Sequence, residues 1–99
     1  MGKGARRMPA RLGGKLRQIR LALGLSQSEM LRRLGAEDLI TYHRISDYEL
    51  GKNEPPLVVI LSYARAANVS TDALIDDELD LPAKLPSATK SEGVRRRGR

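Results

Sequence analysis

A helix stop and a helix start stand almost back to back near the front of this chain. Gly24 closes an apolar stripe, and Ser26-Gln27-Ser28-Glu29 opens a new segment immediately after it. The stripe is Leu12, Leu16, Ile19 and Leu23, whose steps of four, three and four keep them on one helix face. Pro9 suits the first turn of that helix, and Gly24 suits the left-handed residue that ends it. Ser26 and Glu29 fit a capping box, in which the serine oxygen meets the Glu29 amide and the glutamate reaches back to the serine amide.

The same grammar continues along the chain. Met30, Leu31 and Leu34 follow the box, with Gly35 as the next stop. Thr41 is positioned to cap a third helix running to about Leu50. Ile45 and Tyr48 turn inward there, with Leu50 as a further candidate, and Gly51 ends it. Pro55-Pro56 breaks the chain before a fourth helix whose inward set reads Leu57, Ile60, Leu61, Ala64 and Ala67, with Asn68 in the left-handed position after it. Ser70 caps a last short helix with Leu74 and Ile75 inside. Val58-Val59-Ile60-Leu61 alone resembles a strand, but it has no pairing partner and sits within helical spacing. The expected architecture is all-α, a five-helix orthogonal bundle.

Charge separates the body of the chain from its ends. The 99 residues carry a net charge of +6. Lys3, Arg6, Arg7 and Arg11 lie at the front without an acid, and Arg95-Arg96-Arg97-Gly98-Arg99 closes the sequence. Acids gather late in the body, at Asp72, Asp76, Asp77, Glu78 and Asp80. A basic front and an acidic back would orient the molecule toward a polyanion. Residues 1–9 read as a flexible basic arm, 10–81 as the folded domain, and 82–99 as a disordered basic tail with little to bury. There is no Cys and a single His, so neither a disulfide scaffold nor a Cys- or His-rich metal site is available. No apolar run is long enough for a membrane span or a signal peptide, and Arg6 stands where a myristoylation signal needs Ser or Thr. The expectation is a cytoplasmic protein without cofactor, metal or membrane contact.

Several stretches then carry a family resemblance. Arg20-Leu21-Ala22-Leu23-Gly24-Leu25-Ser26-Gln27-Ser28-Glu29-Met30 resembles the opening of the helix-turn-helix motif of the Cro/C1 (XRE) family. Ile45-Ser46-Asp47-Tyr48-Glu49-Leu50-Gly51-Lys52 is similar to the end of that family's recognition helix, where a Glu stands two residues before a Gly. Pro55 onward, through Ala64 and Val69-Ser70-Thr71-Asp72-Ala73-Leu74, is similar to its last two helices. The resemblance covers about residues 12–76. It implies a lambda-repressor-like bundle that binds double-stranded DNA as a homodimer in a prokaryotic nucleoid or phage setting, and it implies a transcription regulator, with repression by covering a promoter.

A duplex admits one α-helix to its major groove, where base edges are distinguishable. By the resemblance, the helix after Thr41 is the reader. Its base-facing candidates are Tyr42, His43, Arg44, Ser46 and Asp47. Arg44 is the strongest, because its fork can pair both acceptors of a guanine. Tyr42 is placed to stack on a sugar or touch a thymine methyl. Asp47 either accepts from a cytosine amine or positions Arg44. Phosphate contacts are expected from Ser26 and Gln27, where free amides and the helix dipole attract an anion, and from Thr41, Lys52 and Asn53. Arg20 and Glu49 match a family ion pair joining the first helix to the end of the reader.

Two departures qualify the resemblance. Gly35 and Glu49 are fourteen residues apart where the family pattern has ten, which leaves residues 36–39 as an insertion. That turn is expected to hold an extra helical turn, with Glu37 and Asp38 facing away from phosphate. Leu31 stands where the family prefers Ala, so changed packing is expected, with Leu39 or Ile40 folding into the gap. Enzymatic readings find no Cys nucleophile, no phosphate loop and no Ser-His-Asp set. The late acids read as a solvated helix end, since the calcium-loop spacing is absent. The alternative functions are an antitoxin, or another protein-binding module using the tails, and RNA binding by the arginine-rich C-terminus.

Overall fold

The punctuated stripes become five helices in the computed structural model, which describes residues 8–86. They are α1 (Leu12–Leu23), α2 (Gln27–Leu34), α3 (Tyr42–Glu49), α4 (Leu57–Ala67) and α5 (Thr71–Ile75). No strand occurs among the described residues, and the fold is all-α as expected. Residues 1–7 of the expected arm and 87–99 of the expected tail lie outside the described residues.

Local chemistry sets the boundaries. Gly24 adopts φ 74° and ends α1, its amide donating back to the Leu21 carbonyl. The capping box is complete: the Glu29 amide donates to Ser26 Oγ at 3.1 Å and the Ser26 amide to Glu29 Oε1 at 2.8 Å. These bonds hold the Glu29 carboxyl below its ordinary range. Asn68 takes the left-handed position after α4 at φ 58°. Ser70 Oγ accepts the Ala73 amide and caps α5. Thr41 stands at the head of α3, but its side chain makes no capping bond, contrary to expectation.

The core gathers one face from each helix. Leu12, Leu16 and Ile19 of α1 meet Met30 and Leu34, Ile45 and Tyr48, Leu74, and the α4 set Val59, Ile60, Tyr63, Ala64 and Ala67. α3 packs on α1 and α2, while α4 packs on α1, α2 and α5. Four inward assignments are corrected. Leu57 and Leu61 of α4 face outward, and Val59 and Tyr63 take the core positions instead. Leu50 is 66% exposed, because it falls beyond the last turn of α3. Ile75 is exposed, since α5 is too short to bury both of its last residues. Tyr63 is wholly buried, its hydroxyl has no hydrogen-bond partner among the described residues, and burial pushes its phenol pKa up.

The start of α1 is held by residues far along the chain. The Asp77 carboxylate accepts the Ala10 and Arg11 amides at 2.9 Å each, supplying the cap that Arg11 does not supply for itself. Arg11 also donates to the Asp77 carbonyl at 2.8 Å and pairs with Asp80. These contacts lower both carboxyl pKa values, the backbone amides acting on Asp77 and the guanidinium on Asp80. Lys15, only 3% exposed, donates from Nζ to the Ala73 and Asp76 carbonyls at 2.7 and 2.9 Å. A cation at the end of a helix complements its dipole and satisfies open carbonyls. The late acids are thus partly a clasp on α1 and not only a solvated helix end. The packing also runs past the expected boundary at residue 81, since Leu85 is buried in the core together with Leu81.

Candidate nucleic-acid interface

α3 presents two unlike sides. Ile45 and Tyr48 are buried, while Tyr42, His43 and Arg44 are exposed and Ser46 and Asp47 half-exposed. Tyr42 and His43 stack on each other, with ring centroids 4.2 Å apart. Arg44 Nη1 donates to Asn53 Oδ1 at 3.2 Å and lies 3.7 Å from Asp47 Oδ2. The guanidinium is therefore drawn toward the loop after α3. Asn53, expected on its own as a phosphate contact, is joined to the reader through Arg44.

That loop begins with a tight reversal. Gly51 adopts φ 78°, and the amides of Gly51 and Lys52 donate to the Tyr48 and Asp47 carbonyls at 3.1 and 2.9 Å. A left-handed residue at this point costs a glycine little and a side-chain-bearing residue more. The turn leaves Lys52 and Asn53 exposed beside the end of α3. Met8 and Pro9 share a groove of about 290 Å³ with Gly13, Leu50 and Asn53, so the residues preceding α1 lie beside the same end of α3.

The mount of α3 is an ion pair. Arg20 donates from Nε to Glu49 Oε2 at 2.6 Å and from Nη2 to Glu49 Oε1 at 3.0 Å, a forked pair. Nη1 of the same guanidinium donates to the Leu25 carbonyl at 3.0 Å. The Glu49 side chain is only 3% exposed, and its hydrogen bond raises the Arg20 pKa. Gln27, at the head of α2, donates to Glu49 Oε1 at 3.4 Å. One carboxylate thus ties α1, α2 and α3 together. Ser26 is occupied as a cap, which leaves it exposed at the α2 terminus.

The expanded turn between α2 and α3 is ordered. Ala36 is buried, and its carbonyl accepts the Leu39 and Ile40 amides at 2.9 and 3.1 Å, one helical turn outside any helix. Of the two candidates for the gap beside Leu31, Ile40 packs against the core with Leu31 itself, while Leu39 stays exposed. Glu37 and Asp38 are exposed.

Sequence reasoning missed Gly13. A Cβ there would meet the Tyr48 and Glu49 carbonyl oxygens at 2.7 and 2.8 Å, so α1 and the end of α3 touch backbone to backbone. The signal available was a Gly-Gly pair inside an otherwise helical stripe, which asks for a packing reason. Lys15 was also missed, because a lysine beside Leu16 reads as solvent-facing until its acceptors are in place.

A family model described as helix-turn-helix, HTH_3, matches residues 16–74, more than half of the chain. No curated protein and no solved structure matches it. No described helix is long and apolar enough to cross a membrane.

Proposed function

This chain belongs to the helix-turn-helix family of the Cro/C1 type, a DNA-binding family, and on that premise we propose that it recognises one duplex sequence with α3 and represses transcription by covering a promoter. The observation that carries this reading is Arg44. It stands exposed on the outer side of a helix whose other side is buried, and its guanidinium is held between Asn53 and Asp47. A restrained fork of this kind is suited to the paired acceptors of a guanine. Tyr42, His43 and Ser46 flank it. Ser26, Gln27, Thr41, Lys52 and Asn53 serve the adjoining phosphates, and the basic residues Lys3, Arg6 and Arg7 add salt-sensitive affinity.

The test is selection of bound duplexes from a random library with the full chain. The parent enriches a single motif. Arg44→Ala loses about 1–3 kcal/mol of preference at one base pair and keeps general affinity, whereas Lys52→Ala weakens all duplexes alike and flattens the salt dependence. Recovery of no motif by the parent would overturn the reading.

A further inference from the structure

Arg20 and Arg44 are anchored alike, but only Arg20 has its grip filled. Arg20 donates from Nε and Nη2 to the two Glu49 carboxylate oxygens at 2.6 and 3.0 Å, while its Nη1 is fixed by the Leu25 carbonyl at 3.0 Å. Arg44 repeats the anchor without the grip. Its Nη1 donates to Asn53 Oδ1 at 3.2 Å, and its Nε and Nη2 have no partner among the described residues. Asp47 lies 3.7 Å from the same Nη1, beyond hydrogen-bond reach, and an ion pair this open to solvent contributes little. Among the described residues, Asn53 therefore supplies the one directional restraint on this guanidinium. The backbone around Asn53 is pinned on both sides. Gly51 reverses the chain at φ 78°, the Lys52 amide donates to the Asp47 carbonyl at 2.9 Å, and Pro55 is buried.

We propose that Asn53 is a positioning residue for sequence choice: by holding Nη1, it turns the Nε–Nη2 edge of Arg44 toward the duplex, and that edge reads guanine side-on. The proposal rests on α3 being the helix that enters the major groove. With Nη1 held, the pair of parallel donors left open is Nε–H and Nη2–H, the edge with which Arg20 takes two oxygens of one carboxylate. Guanine is the base that offers two adjacent acceptors, O6 and N7, in the major groove. Anchoring also removes rotamer freedom before DNA arrives, so less is lost on binding. The two ends of the Asn53 amide then have different tasks. Oδ1 accepts from Arg44, while Nδ2, which has no partner among the described residues, remains a donor for a phosphate oxygen. A residue that served phosphate alone could as well be Lys, but Lys has no acceptor to offer Arg44.

The test measures affinity of the full chain for its selected duplex, for that duplex changed at the base pair where Arg44→Ala loses preference, and for an unrelated duplex. Asn53→Lys removes the acceptor and adds a cation. It should lose about two- to tenfold of the preference at that base pair, the worth of ordering one long side chain, while binding the unrelated duplex as tightly as the parent or tighter, with helicity unchanged. Asn53→Asp keeps an oxygen for Arg44 but sets a negative charge beside the phosphates. It should keep the preference and bind every duplex more weakly. Asn53→Lys with the parent's preference overturns the proposal and leaves the DNA reading standing. So does Asn53→Asp losing the preference as Asn53→Lys does, or a parent motif that Arg44→Ala leaves unchanged at every base pair. A parent that selects no motif brings down the DNA reading, and this proposal with it.

Discussion

Gly13 faces the Tyr48 carbonyl so closely that a Cβ added to the glycine would lie 2.7 Å from that oxygen. The approach of α1 to the end of α3 is therefore set by backbone and not by side chains. Gly14, its neighbour, would place a Cβ in open space. Gly13→Ala must push α3 away and is expected to lose about 1–3 kcal/mol, with weaker duplex binding. Gly14→Ala is expected to gain about 0.5–1 kcal/mol, because alanine loses less backbone entropy in a helix. Thermal melts of the two variants, with opposite signs, check the contact.

Glu49 holds three helices with one carboxylate. Glu49→Ala leaves Arg20 beside a buried void without its partner, at a cost of about 3 kcal/mol. Because Glu49 lies under the reader and not on its outer side, the variant should melt early yet select the same motif as the parent where it remains folded. Urea titration and library selection on one preparation separate the two effects. A variant as stable as the parent would remove the ion pair from the account of the fold.

Acid should loosen the clasp between α1 and the segment after α5. The Asp77 carboxyl is held below its ordinary value of 3.8 by the Ala10 and Arg11 amides. The unfolded chain therefore takes up this proton first as pH falls. The stability it contributes is present above about pH 4 and is lost as pH drops through the lowered folded value. Asp77→Asn removes the charge, so its melting temperature should fall less steeply than that of the parent between about pH 5 and pH 2. Parallel slopes would place the acid sensitivity elsewhere, with Glu29 and Asp80 as the other lowered carboxyls.

Leu85 makes the C-terminal boundary of the domain measurable. Truncation after residue 82 removes a side chain that is buried in the core, and so does Leu85→Ala, which should cost about 2–3 kcal/mol. Truncation after residue 86 should leave the melting temperature within a degree or two of the full chain. Denaturation curves of the three forms decide whether Leu85 belongs to the folded unit.

The residues show why some of this was legible and some was not. α1 could be phased from sequence because Leu12, Leu16 and Ile19 alternate with polar neighbours. α4 could not, because Leu57 to Leu61 is apolar on every side and gives the 3.6-residue period no direction. The expected face accordingly included Leu57 and Leu61, and the true one took Val59 and Tyr63. The candidate site divided in the same way. Arg20 and Glu49 were found through a motif, while the Arg44–Asn53 contact needed the loop after α3 to fold back.

What the sequence determined alone were the helices and their ends, since capping bonds, left-handed stops and apolar periodicity act within four or so residues. Tertiary structure decided which side of α4 meets the core, where Lys15 and Asp77 find partners on the opposite end of the chain, and how near α1 comes to the Tyr48 carbonyl. Those are contacts between segments tens of residues apart. Their energy depends on the relative placement of whole helices, which no local pattern of residues encodes.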